Sequence, residues 1–219
     1  MGEHFILYGA PALAMPWLDA EVTITSGPPQ EPPIPEIKEA WKQARLLIDP
    51  SEKETSSFPG TFPFSLVSTI PLGAGFGSSA ALCLCLLDAA AEEKGISLTP
   101  AERIAKATEL ESIFHGRSSG LDPTVVALRK PIRFSMKQGP QALSWELDGF
   151  GFVLATSPEL RQTSEAVAKV RRFTKENPKV FKEKVKTVNH LVGIVEGLLT
   201  MSSINVNKSS LQQARLLGQ

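Results

Sequence analysis

Three glycines and two serines crowd into the seven residues Gly73-Ala74-Gly75-Phe76-Gly77-Ser78-Ser79, directly against a long helix-forming run that ends near Lys94. A strand feeding a glycine-rich turn onto a helix N-terminus makes an anion site. Glycines let backbone N–H groups approach oxygens closely, and the helix adds about half a positive charge at its start. Ser78 and Ser79 fall in the first turn, where a hydroxyl can cap the helix or reach a phosphate or a magnesium ion. The pattern is not G-x-x-x-x-G-K-[ST], because no lysine follows Gly77, nor G-x-G-x-x-G, because Ser78 holds the last position. Taken alone, the stretch also fits a tight turn with a capped helix.

A second constellation lies in ELESIFHGRSSGLDPTV, where Glu111 falls near a helix end and Asp122 follows in a Ser/Gly loop. Phosphoryl transfer needs a phosphate cradle, Mg2+ ligands and a carboxylate that takes or orients the substrate hydroxyl. Glu111, one of the serines and Asp122 could supply the last two. Without the glycine turn the pair says little, since a loop acid is commonly a turn former and a helix glutamate is commonly solvated.

The elements around these residues are readable. HFILYG and Glu21–Ser26 read as strands, the second alternating Val22 and Ile24 with threonines, and GAPALAMP between them reads as a turn-rich connection. GPPQEPPIP (27–35), with five prolines, reads as irregular loop. Apolar residues at 37, 40, 41, 44, 47 and 48 mark an amphipathic helix over 36–48. After a surface loop, TFPFSLVSTIPLG is a strand delivering the chain into the glycine turn. A helix from Ser78 to Lys94 should stop at Gly95. Thr99 as cap, Pro100 at the first helical position and Glu102 as capping-box partner start the next helix, ending near His115 and Gly116. PIRFSM (131–136) and ALSWEL (142–147) read as a strand pair around Gly139-Pro140, and 149–157 as a buried-type strand. Helices follow at 163–173, at 178–200 and at the C-terminus. This mixed order implies an α+β fold.

Composition excludes little but points one way. The 219 residues carry 23 basic and 23 acidic side chains, so no global field argues for nucleic acid or an anionic membrane. Residues 1–60 hold nine acids and four bases, and 161–187 nine bases and three acids, the latter read as solvated helix faces. Cys83 and Cys85 lie two apart on one helix and point apart, which suits small packing residues in a reducing compartment. No apolar run reaches the roughly 18–20 residues of a membrane span, so a cytoplasmic location is expected.

PLGAGFGSSAA resembles the second signature of the GHMP kinases (galactokinase, homoserine, mevalonate and phosphomevalonate kinases), and GEHFILYGAPALA, Gly2 to Ala14, resembles their first. Glu111 to Val125, with its acid, His-Gly, Ser-Gly and Asp, looks like the mevalonate kinase branch, as do LRQTSEAVAKVRR (160–172) and NVNKSSLQQARLLG at the C-terminus. The resemblance implies a two-domain fold: a ribosomal protein S5 domain 2-like ATP-binding domain over 1–148 and a shortened ferredoxin-like domain over 149–219. It implies an ATP- and Mg2+-dependent kinase acting on a small alcohol, mevalonate first, with phosphomevalonate or another GHMP acceptor as alternatives. Gly73 to Ser79, including Ala74 and Phe76, would surround the phosphates. Ser78, Ser79 and Glu111 would hold Mg2+, and Asp122 would be the catalytic acceptor of the hydroxyl proton. Glu3, His4, Ser119 and Gly120 would meet substrate, whereas His115 reads as a structural loop residue, with a substrate contact as the alternative, and His190 as neither.

Two departures from the family pattern stand out. The lysine expected a few residues before Gly-Glu-His is missing from a chain that begins Met1-Gly2-Glu3, and so is the third, glycine-rich signature beyond Gln219. Both losses lie at the termini, so a truncated product is expected over an active-site substitution; the alternative to the enzyme is a nucleotide-binding relative with little or no turnover. An exposed sheet edge in its second domain would favour low solubility or a homodimer.

Overall fold

The computed structural model describes residues 1–30, 35–52, 62–71, 74–145, 153 and 163–200. The chain divides into two compact units, one of Pro16–Arg129 and one joining Met1–Met15 to most of the chain from Lys130 onward.

The first of these units carries the glycine turn. Two strands, β2 (Val22–Gln30) and β3 (Phe62–Ser68), pair antiparallel from Val22↔Ser68 to Gln30↔Phe62 (β1 belongs to the other unit). β2 runs through Pro28 and Pro29, where the proline count predicts irregular loop. The register shifts between Ser26 and Gln30, and a bulge or edge position is where a residue without N–H can sit in a strand. Helix α1 (Pro35–Ile48) buries Ile37, Ala40, Trp41, Ala44 and Ile48, the stripe that the sequence spacing predicts. Trp41 meets the edge of Phe64 at 4.9 Å between ring centroids, tying α1 to β3.

Helix α2 (Ser78–Lys94) is the central element. Ala80 to Leu84, Leu86, Leu87, Ala90 and Ala91 are buried, so the helix is apolar nearly all round and takes partners on several sides. Those partners are α1, α3 (Pro100–His115), α4 (Leu121–Leu128) and β2. Gly95 adopts the left-handed conformation that closes α2, and both halves of the Thr99–Glu102 capping box are present at the start of α3. At the far end of α2 from the glycine turn, Arg45 reaches both Glu52 and Glu93, and Lys94 lies 3.4 Å from Asp49 and from Glu52.

The other unit holds a sheet in the order β1-β4-β5 (Ala12–Ala14, Ile132–Ser135, Gly139–Ala142), antiparallel throughout, with helices α5 (Thr163–Glu176) and α6 (Pro178–Thr200). The strand expected at HFILYG is instead a 3-10 helix, Glu3–Tyr8, and the connection after it supplies β1. In a 3-10 helix residues i and i+3 eclipse, which brings Phe5 and Tyr8 together onto Phe181 of α6, at 5.7 and 4.7 Å. Gly2 permits the turn: its φ is +87°, and a Cβ there would lie 2.8 Å from the Pro11 carbonyl oxygen. The strand expected at 142–147 sits earlier, because the turn after β4 closes over residues 136–138 and Gly139 (φ +71°) already pairs with Ser135. Apart from Val153, the strand expected at 149–157 lies outside the described residues, as does the helix beyond 200. Among the described residues no helix is long and apolar enough to cross a membrane.

Candidate active site

At the entry to α2 the chain turns on glycines held in the left-handed conformation. Gly75 and Gly77 take φ of +78° and +72°, values that L side chains rarely adopt. A Cβ on Gly75 would meet nothing within 4 Å, so conformation and not space calls for glycine there. Gly77 caps α2 without a side chain, and the first intrahelical bond runs from Ala81 N–H to its carbonyl at 3.0 Å. The N–H groups of Ser78, Ser79 and Ala80 therefore have no intrahelical acceptor. No acidic residue of α2 itself occupies this first turn, and a helix N-terminus of this kind favours an anionic ligand. Ala74 and Phe76 complete the described part of the turn, and Gly73 lies outside the described residues. Phe76 stands edge-on to Trp17 at 5.5 Å, beside a shallow cleft of about 90 Å³ that Ile70, Val126 and Arg129 also line.

Ser79 points from this turn at α3. Its hydroxyl lies 3.3 Å from Glu111 Oε1 and 2.8 Å from His115 Nε2, residues one helical turn apart on α3. Ser79 rather than Ser78 is thus the serine against the acid. Glu111 is only 3% exposed, and its other oxygen accepts the Ser118 hydroxyl. Burial pushes this carboxyl up to about 7; Asp122 adds to the rise, while the Ser118 and Ser79 hydroxyls oppose it. Burial pushes the His115 imidazole down, and its Nδ1 is buried with no partner among the described residues.

The following loop sets Asp122. Ser118 Oγ accepts from Gly120 N–H at 3.0 Å and Ser119 Oγ from Leu121 N–H at 3.3 Å, folding the loop on itself. Gly120 (φ +80°) then caps α4, and Thr124 donates its hydroxyl to the Gly120 carbonyl at 2.5 Å. Asp122, which the sequence places in a loop, stands in the first turn of α4, where the helix dipole favours a carboxylate. A Cβ on Gly77 would lie 3.9 Å from Asp122 Cβ, so the aspartate adjoins the glycine turn. One unit therefore brings together Gly75, Gly77, Ser79, Glu111 and Asp122. Glu3 and His4, 3.5 Å from each other and half exposed, belong to the other unit.

The residues fit a nucleotide phosphate and a hard cation. An uncapped helix start with two left-handed glycines suits phosphate oxygens. A hydroxyl against a buried carboxyl, itself raised by a neighbouring acid, is an oxygen donor set short of positive charge. Among the described residues no three His, Cys, Asp or Glu side chains gather into a cage, and Mg2+ is ordinarily held by one or two carboxylates plus waters and substrate phosphates. Sequence reasoning reads His115 as a structural residue of the His-Gly motif; its contact with the Ser79 hydroxyl is a finding of the structure.

Residues 38–130 match the family described as GHMP kinases N terminal domain. The mevalonate kinase of Thermococcus sibiricus is 28% identical over 217 residues, covering 87% of this chain and 64% of that protein. That of Pyrococcus furiosus is 31% identical over 145 residues, 66% of this chain and 41% of that protein. The chain thus spans less than two thirds of these relatives' length. The L. major mevalonate kinase, solved in complex with R-mevalonate, superposes with a TM-score of 0.62 at 20% identity over 92% of this chain and 66% of that one. The Methanococcus jannaschii mevalonate kinase gives 0.62 at 18% identity over 95% and 70%. The fold is accordingly the α+β fold of these kinases, and the chain carries a match to the GHMP kinase N-terminal domain over residues 38–130 and is similar to the mevalonate kinases.

Proposed function

We propose that this protein is an ATP- and Mg2+-dependent kinase that transfers a phosphoryl group to the primary hydroxyl of mevalonate. The observation that carries the reading is the buried carboxyl of Glu111 held against Ser79 at the start of α2, with Asp122 beside Gly77. Similarity to mevalonate kinases supports the choice of acceptor.

In this reading the N–H groups of Gly75, Gly77 and the first turn of α2 bind phosphate oxygens, and Ser79 and Glu111 hold the cation. When bound, Mg·ATP supplies the phosphoryl group and the charge that offsets its oxygens. Asp122, fixed by the first turn of α4, orients the acceptor hydroxyl and takes its proton. Ser119 and Gly120 set the loop that carries Asp122, and Glu3 and His4 are assigned to the substrate side by family pattern alone. The protein is read as cytoplasmic, with a small-molecule substrate.

The test is phosphorylation of mevalonate by this chain with Mg·ATP, run beside phosphomevalonate and with Asp122→Asn as control. Asp122→Asn should cost on the order of 10²- to 10⁴-fold in kcat, the range for a general base, with nucleotide affinity unchanged. Loss of nucleotide binding together with turnover would make Asp122 structural. Nucleotide binding without turnover in the wild type would favour a binding relative over an enzyme.

A further inference from the structure

The Ser79 hydroxyl has one proton and two neighbours able to take it, Glu111 Oε1 at 3.3 Å and His115 Nε2 at 2.8 Å. If the proton goes to Glu111, it lies between the two oxygens that the proposed function assigns to a cation. If it goes to His115, the space between those oxygens is clear of hydrogen and both present lone pairs. An imidazole can accept at Nε2 only as its Nδ1–H tautomer. The shorter of the two contacts is the one to His115.

We propose that His115 is a positioning residue for Ser79: its Nε2 accepts the serine proton and turns the Oγ lone pairs toward the Glu111 carboxylate, so that the two oxygens take a divalent cation together. This inference rests on the kinase reading of the site. It gives the imidazole a role through Ser79, with no contact to substrate.

The geometry separates two conservative variants. Glutamine places its amide where imidazole Nε2 stands and can still accept from Ser79, whereas asparagine places its amide at the Nδ1 position and falls short. Mn2+ binding in the presence of ATP, followed by electron paramagnetic resonance of the free ion and by thermal shift, reads the effect without turnover. His115→Asn should weaken Mn2+ binding about 10- to 100-fold, the usual cost of removing a partner that orients a metal ligand, and His115→Gln should restore most of it. In a Ser79→Ala background His115→Asn should add little, because the two substitutions remove one interaction. Equal Mn2+ affinity in wild type and His115→Asn, equal losses in the Asn and Gln variants, or additive losses with Ser79→Ala would each overturn the role of His115. A wild-type chain that binds no Mn2+ with ATP would instead overturn the kinase reading, and this inference with it.

Discussion

With its side chain shut away from water, the Glu111 carboxyl is pushed up to about 7 from an ordinary 4.5, and this sets a pH dependence with a definite sign. Below about 4.5 the group is protonated whether the chain is folded or not. Between the two values the unfolded chain ionises while the native carboxyl keeps its proton, so native stability falls as pH rises through about 7. Glu111→Gln removes that loss: at pH 8, in chelator, the variant should be more stable than wild type by at most about 3 kcal/mol, and the difference should vanish near pH 4. Denaturant titrations across this range would check it. A variant no more stable than wild type at pH 8 would mean that the carboxyl is already ionised at no cost. Gly77→Ala addresses the turn itself. Its φ of +72° should cost about 1–2 kcal/mol as backbone strain, and nucleotide affinity should fall with it.

Helix boundaries carry the site, and their legibility varied with the chemistry of each cap. The capping box of α3 announces itself in Thr99, Pro100 and Glu102, and Gly95 does the same for the end of α2. Thr99→Ala should therefore lower stability by about 1 kcal/mol, measured by urea unfolding, with nucleotide affinity unchanged because the cap is remote from the glycine turn. Helix α4 stayed hidden because its cap is Gly120, which offers no side-chain signal, and because Asp122-Pro123 after a Ser/Gly stretch has the look of a turn. Proline needs no N–H partner in a first helical turn, so the same dipeptide suits a helix start. The HFILYG segment misled for another reason. Its apolar residues answer to Phe181, far along the sequence, and no local periodicity records that partner. The glycine turn, Glu111 and Asp122 were legible as a group since each needs a residue type that few other roles require together. The Ser79–His115 contact was not, because it depends on how α2 and α3 pack.

Among the described residues the core cluster gathers around α2, where Trp41, Leu84, Leu86, Leu87 and Leu110 are all at most 1% exposed. Leu84→Ala should cost about 2–5 kcal/mol, a large part of the 5–15 kcal/mol typical of a domain. Trp41 fluorescence in a denaturant titration would report it, and a cost below about 1 kcal/mol would show that the core collapses around the gap. The two units also differ in how they are strung on the chain. Every described element of the α2 unit, from β2 to α4, lies in one unbroken stretch that is complete by Arg129. Its partner is built from both sides of that stretch: β1 waits for β4, and Phe5 waits for Phe181. On a ribosome adding about 5–20 residues per second, the α2 unit can reach its native contacts while Phe5 and Tyr8 still lack Phe181. The Glu3–Tyr8 segment is thus made well before the helix that covers it, and until then its aromatic side chains are surface for a chaperone to hold.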